Sequence, residues 1–358
     1  MQRDLILHIG LSKTGSSSIQ RVLASQRDAL RAQGMYMPQS PGWANHALLP
    51  AAFVNDPRIL WGFHPGTWGL APATRLERFR KEWAAELNAL PDWASRCVIT
   101  AEQIGGLLRA DDEVQRLADN LQPYFANIQV VAYLRRQDQH AASAYSQWLR
   151  GGVLTDPALP DGGPELQPEY DLGPLLDRFA RAFGDAAMRP RIFDRASLAG
   201  GDVVEDFLQL TGIDLPIAPE TPNRKSNLGI TLVGQNLLLA AGRRLAATAP
   251  DDLWRDTPQW RRLAEAVSEA MPGSGWRPHA RGGGSVHAAF CRHQRTRPAP
   301  LFSAVAHAVP ARFFRPAGNP GAGAGGEPGA GGARSGAARN RQQRRARGAC
   351  GDGAVPAC

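Results

Sequence analysis

Nowhere in the 358 residues is there a run of about 18 or more consecutive apolar side chains, the length a membrane-crossing helix needs, so no membrane span is expected. The one apolar stretch near the start, Leu5 to Ile9, is too short for the core of a secretion signal and runs straight into Gly-Leu-Ser-Lys, which reads as a strand entering a loop. A cytoplasmic protein is the resulting expectation. Cysteine is scarce as well: of the 4 present, Cys97 stands alone in an apolar run while Cys291, Cys350 and Cys358 fall near the C-terminus, a spacing that provides neither a disulfide framework nor a zinc site. There is no internal repeat.

Acidic residues are nearly missing from the last quarter of the chain. Residues 273–358 hold 13 of the 41 basic side chains but only Glu327 and Asp352 among the 33 acidic ones, and this stretch has no Ile, Lys or Tyr. The formal charge of +8 therefore belongs to the tail, and residues 1–272, with 28 basic against 31 acidic groups, are slightly negative. A Gly/Ala/Pro/Arg-rich segment of this kind buries too little apolar surface to offset its ordering entropy, so the expected organisation is an α/β domain over 1–272 and a disordered low-complexity tail over 273–358. Two origins account for the abrupt change near Met271: a natural basic tail, or a reading frame shifted within GC-rich DNA. An intact frame on resequencing removes the second.

What is present in the body is an alternation of apolar strands with amphipathic helices, the pattern of a mostly parallel sheet covered on both faces. Strands are expected at Leu5 to Ile9, Met35 to Met37, Cys97 to Thr100, Ile128 to Leu134 and Arg189 to Phe193. Helices are expected from the first loop to Gly34, around Leu76 to Leu90, from Asp112 to Leu121, up to Arg150, around Leu172 to Phe179, and at Val203 to Leu210, Ile230 to Ala246 and Asp252 to Ala270. Pro38 to Thr74 is a long irregular segment rich in Pro, Gly and Trp, of the kind that carries function.

The first strand feeds Gly10-Leu-Ser-Lys-Thr-Gly-Ser-Ser-Ser-Ile-Gln20, a small-residue loop opening a helix. Main-chain N–H groups and the positive end of the helix dipole then converge on one place, Lys13 adds a mobile charge, and the hydroxyls of Thr14, Ser16, Ser17 and Ser18 add donors. This is an anion cradle. In a Walker A loop the lysine follows the second glycine, whereas here Lys13 precedes Gly15, which disfavours a nucleotide triphosphatase.

Lys13-Thr-Gly-Ser-Ser-Ser18 after a first strand resembles the 5′-phosphosulfate loop of sulfotransferases that use 3′-phosphoadenosine 5′-phosphosulfate (PAPS). A second segment, Val130-Val-Ala-Tyr-Leu-Arg-Arg-Gln-Asp-Gln-His-Ala-Ala-Ser-Ala-Tyr145, is similar to the element in which an arginine at a strand end and a serine eight residues on grip the donor's 3′-phosphate. Arg135 and Ser143 have that spacing. A guanidinium at a strand end can fork onto phosphate oxygens; the neighbouring Arg136 is the rival for that contact, its other reading being a solvated surface charge. The resemblance implies a P-loop-like three-layer α/β fold and PAPS as donor, with Lys13 on the bridging oxygen and Thr14 to Ser18, Gly15 included, around the 5′-phosphate. It also implies a late basic loop over the 3′-phosphate, to which Asn223-Arg-Lys-Ser-Asn-Leu228 corresponds through Arg224 and Lys225.

Sulfuryl transfer asks for positioning, charge relief on the leaving phosphate and a base for the acceptor hydroxyl, so no metal is called for. Glu102, just beyond the strand ending at Thr100, is placed where the superfamily carries its base; its other reading is a helix-start carboxylate. His46 is the alternative base, because imidazole titrates near neutrality. Trp43, Trp61 and Trp68 suit stacking on a sugar or plugging a core. The acceptor implied by bacterial relatives is a carbohydrate or lipid-linked saccharide hydroxyl, with a small alcohol or phenol left open, and no specific nucleic acid. Two other classes compete. A kinase or triphosphatase of related fold needs a magnesium-holding carboxylate, for which Asp194 is the candidate, and a polyanion binder acts through the basic tail.

Overall fold

The chain builds a sheet of five parallel strands in the order β2-β3-β1-β4-β5, with helices on both faces. The computed structural model describes residues 3–56, 72–157, 170–217, 229–248, 254–255 and 257–277. The strands are β1 (Asp4–His8), β2 (Met35–Tyr36), β3 (Arg96–Thr100), β4 (Asn127–Leu134) and β5 (Met188–Ile192). Between them run α1 (Ser16–Ser25), α2 (Arg27–Ala32), α3 (Leu48–Ala51), α4 (Pro72–Asn88), α5 (Glu102–Leu107), α6 (Asp111–Leu121), α7 (Gln137–Arg150) and α8 (Leu172–Phe183). After β5 come α9 (Val203–Thr211), α10 (Leu232–Thr248) and α11 (Pro258–Ala270). The expected three-layer α/β architecture is the one observed.

Strand alternation divides the core. Leu5, Leu7 and Ile9 point into a cluster with Phe79, Trp83, Ile104, Leu117 and Phe179, on the side of α4, α5, α6 and α8. Ile6 points the other way, toward Ile19, Leu23, Tyr133 and Phe207, beneath α1 and α9. A third cluster, with Tyr145, Leu149, Leu238, Trp254 and Trp260, joins α7 to α10 and α11. Trp260 closes that joint with its Nε1–H on the Arg150 carbonyl at 2.8 Å, so an indole is buried without leaving its donor unmet.

Two of the boundaries that differ from expectation have a plain local reason. The helix read as continuous to Gly34 breaks at Gln26 (φ −120°, ψ 33°), where Gln26 Nε2 reaches the Pro216 carbonyl at 3.1 Å and Arg27 turns to the carbonyls of Met37 and Pro38 at 2.5 and 3.2 Å. Tertiary partners override the helical pattern there. The last helix begins at Pro258 rather than Asp252, because Thr257 caps it through the Trp260 N–H at 3.3 Å and a proline fits the first turn, where its missing donor costs nothing. The chain read as irregular after Pro38 includes the short helix α3.

β1 lies centrally, with β3 on one side and β4 on the other, and successive elements depart from it in opposite directions. That is the topological switch point of an open parallel sheet, where a crevice forms beyond the carboxyl ends of the strands. Among the described residues, no helix is long and apolar enough to cross a membrane. Residues 278–358, most of the segment read as a tail, lie outside the described residues. Gly273 and Trp276, inside the expected tail boundary, are bonded to the body: Gly273 N–H to the Gly229 carbonyl at 2.8 Å and Trp276 N–H to Gln235 Oε1 at 2.7 Å.

Candidate functional site

Three sequence-derived candidates come from three neighbouring strands at the same edge of the sheet. Lys13 follows β1, Glu102 follows β3 and Arg135 follows β4. The loop after β1 is held in an unusual shape, with Lys13 at φ 62° in the left-handed region and Gly15 at φ 82° as the N-cap of α1. A side chain at Gly15 would be strained twice over, since a Cβ there would lie 2.6 Å from Val203 Cγ1. Among the described residues no side chain caps α1, and of its first N–H groups that of Ser18 bonds to the Gly15 carbonyl at 2.9 Å.

The hydroxyls of that loop divide into two sets. Thr14 and Ser16 are buried and both donate to the Leu11 carbonyl, at 2.8 and 3.0 Å, so their protons brace the loop rather than point outward. Ser17 is exposed and Ser18 half-buried. Ser12, which the sequence reading passed over, places its Oγ 2.7 Å from His140 Nε2.

Arg135 ties the two motifs together. Its Nη1 donates to the Lys13 carbonyl at 2.8 Å, its guanidinium lies 5.5 Å from the centre of the Phe193 ring, and its buried Nε has no partner among the described residues. Among the described residues no carboxylate is bonded to it, so a largely buried cation is left with donors in excess of acceptors. Arg136 forks instead onto Asp138 at 2.5 and 2.7 Å. Ser143, half-buried on α7, stands one helical turn beyond His140 on the same side of the helix.

The Lys13 ammonium is held below the ordinary lysine range by burial first, then by repulsion from Arg150, with Glu102 pulling the other way and Arg135 adding to the repulsion. Arg150 therefore belongs to the same cationic group, although the sequence reading did not single it out. Seven residues past Ser143, it shares one side of α7 with that serine, which is the one trace of it that helical spacing offers. Its Nε also donates to Ser268 of α11 at 3.1 Å, which links the site to the α10–α11 pair.

The start of α5, where Glu102 sits, is fixed through the backbone. Ala101 N–H bonds to the His8 carbonyl at 3.1 Å and Gly105 N–H to the Ile9 carbonyl at 2.9 Å, which locks the start of α5 to the end of β1. A Cβ at Gly10 would fall 2.5 Å from Glu102 Cα, so the two loops touch main chain to main chain.

No protein-family model matches this chain. An uncharacterized protein of Archaeoglobus fulgidus is 36% identical over 100 residues, covering 27% of this chain and 26% of that protein. The aligned stretch thus spans about a quarter of the length of the curated relative. A solved sulfotransferase from Alicyclobacillus acidocaldarius is 17% identical, with a TM-score of 0.37 over 73% of this chain and 99% of that one.

His46 does not sit in the crevice as a candidate base should. It is fully buried, Thr100 N–H donates to its Nδ1 at 3.0 Å, and its Nε2 lies 3.0 Å from the Pro38 carbonyl. Since Nδ1 accepts, Nε2 must carry the proton and donate; burial pushes the ring down to about 4 despite the favourable Pro38 contact. Both nitrogens are engaged by main chain, which leaves none for an acceptor hydroxyl. His46 is a pin joining the Pro38 region to β3.

Trp43 is 61% exposed and stacks on the Arg27 guanidinium at 4.3 Å. Asp194 accepts from Ala196 N–H at 2.9 Å in a turn after the edge strand β5, two strands away from the lysine loop. No group of three or more His, Cys, Asp or Glu side chains clusters as a metal site among the described residues. Cys97 is buried and burial pushes its thiol up to about 12. Arg224, Lys225, Trp61 and Trp68 lie outside the described residues.

Proposed function

We propose that this protein is a PAPS-dependent sulfotransferase that modifies a hydroxyl acceptor. The observation that carries the reading is the Arg135–Lys13 contact at 2.8 Å, which brings both anion-binding motifs to one crevice at the switch point of the sheet. The donor's chemistry fits the residues present: a largely buried guanidinium with an unmet donor, an uncapped helix start and a lysine close together suit a ligand with two separate phosphate-type groups. When bound, PAPS supplies the sulfuryl group and departs as adenosine 3′,5′-bisphosphate.

The protein's own groups then have distinct tasks. Main-chain N–H groups from Gly15 to Ser17, with the Ser17 and Ser18 hydroxyls, hold the 5′-phosphate, while Arg135 and Ser143 hold the 3′-phosphate. Lys13 meets the negative charge that grows on the leaving oxygen. Glu102 accepts the proton from the acceptor hydroxyl as its oxygen bonds to sulfur. The acceptor class favoured is a saccharide or lipid-linked saccharide, and Arg224 and Lys225 are assigned to closure over the 3′-phosphate.

Calorimetric titration of the full chain with adenosine 3′,5′-bisphosphate tests the reading. Measurable binding is expected, weakened about tenfold or more by Arg135→Ala, the loss typical of a charge-assisted contact. A flat titration with folded native protein ends the proposal.

A further inference from the structure

His140 is the buried titratable group that the scheme above leaves without a task. It sits on the first turn of α7, only 3% exposed, with Nε2 on Ser12 Oγ at 2.7 Å and Nδ1 buried without a partner among the described residues. The Tyr170 ring meets it edge-on at 4.9 Å from the segment that leads into α8. The charges acting on the ring, Arg135 from the end of β4 and Lys13 from the loop after β1, are both positive. Glu102 of α5 and Arg150 at the far end of α7 act on Lys13 in turn.

We infer that His140 is a positioning residue of this pocket: it takes up a proton from solvent when an anion enters beside Lys13 and Arg135, and so frees the Ser12 hydroxyl to donate to that anion. The inference rests on reading the crevice as an anion site. The neutral ring has one bare nitrogen, and with Nε2 bare the Ser12 hydroxyl must donate to it. Once the ring holds both protons, Nε2–H donates and Ser12 Oγ accepts, so the hydroxyl proton swings away from the ring. In the anion-free protein that second proton is disfavoured by burial and then by Arg135 and Lys13, which together push the ring down to about 4. A dianion offsets both positive neighbours and adds its own attraction for the charged ring, which works against the larger cost set by burial and favours uptake of the second proton.

Inorganic sulfate is the probe, because it stays dianionic over the range used and any pH dependence of its affinity arises in the protein. Its affinity for the full chain is read from the sulfate-induced rise in Tm, with chloride holding the ionic strength constant. Binding at about pH 5.5 is expected to be about threefold or more tighter than at about pH 7.5. His140→Gln, which keeps a hydrogen-bonding group near the Nε2 position, is expected to bind sulfate with no such difference. A flat profile in the native chain, or an equal pH dependence in His140→Gln, overturns the inference. If His140→Gln does not fold, Ser12→Ala takes its place and must lose about half or more of the gain at acid pH, full retention being the contrary result. Absence of binding by both sulfate and adenosine 3′,5′-bisphosphate at every pH overturns the donor-site reading together with this one. Binding without a pH slope overturns this one alone.

Discussion

Arg135 Nη1 donates to the carbonyl of Lys13 across 122 positions of sequence, at 2.8 Å. The bond makes the end of β4 a support for the loop after β1, and it leaves Nη2 and Nε for other partners. Arg135→Lys keeps a positive charge but loses the fork that reaches loop and ligand at once. It should weaken adenosine 3′,5′-bisphosphate binding nearly as much as Arg135→Ala, by about tenfold, in the same calorimetric titration. Recovery of native affinity by lysine would show that charge alone suffices.

Gly15→Ala should both destabilise the protein and impair ligand binding. The residue holds φ 82° and a Cβ would press on Val203 Cγ1 at 2.6 Å, so backbone strain and overpacking act together. A loss of about 2 kcal/mol in urea unfolding is expected. Gly212, also in the left-handed region (φ 63°, ψ 34°) but with nothing near its Cβ position, is the control and should cost about 1 kcal/mol.

Acid should unfold this protein early. Burial pushes His8 down to about 3 and His46 and His140 to about 4, so below about pH 6.5 the unfolded chain binds protons that the native state refuses. Stability therefore falls as pH drops from about 6.5 to about 4, by roughly 3 kcal/mol for one such ring. Asp206 adds to the loss at the lower end. Burial alone would raise it, but bonds from Arg191, the Ala199 N–H and Tyr133 outweigh burial and hold it below the usual carboxylate range. Its contribution, present above the unfolded carboxylate range, disappears as pH falls through the native value. Denaturant midpoints measured across this window check the slope, and His46→Asn should reduce it while lowering stability at neutral pH.

Glu102→Gln should leave adenosine 3′,5′-bisphosphate affinity within about twofold and reduce turnover by about a hundredfold or more once an acceptor is in hand. Unchanged turnover removes Glu102 as the base. His46 cannot inherit the task, since both its nitrogens face main-chain groups.

Truncation after Arg277 should preserve the thermal stability of the body, whereas truncation after Pro272 should lower it. The second cut removes the Trp276 N–H that meets Gln235 Oε1, while Gln235 Nε2 donates in turn to Ser146 Oγ of α7 at 2.8 Å. Losing Trp276 leaves a buried amide oxygen unmet, a cost of about 1–3 kcal/mol. Equal melting temperatures for the two truncated chains would discount that connection.

Much of this arrangement is readable without coordinates, because periodicity and loop chemistry are local. The apolar runs at Leu5 and Val130, the helix stripes and the loop around Lys13 all announce themselves through neighbours in sequence. What is hidden depends on partners far away. His46 reads as a free loop imidazole until Thr100 and Pro38 are seen on either side of it, and the break at Gln26 follows from Pro216, Met37 and Pro38. His140 and Arg150 occupy a middle ground. Their spacing from Ser143 marks one side of α7, but nothing in that spacing says that Lys13 lies opposite. Thr14 and Ser16 show the converse, since hydroxyls in an anion-binding pattern turn their protons inward onto Leu11.

The contact of Gly10 with the Glu102 main chain has a mechanical meaning. Two loops pressed together without intervening side chains cannot slide or tilt to compensate for a shorter arm, so the span from carboxylate to lysine loop is set by side-chain length alone. An aspartate at 102 would hang back by about one methylene with no hinge to bring it forward, and for chemistry that tolerates so little misplacement it should serve hardly better than an amide.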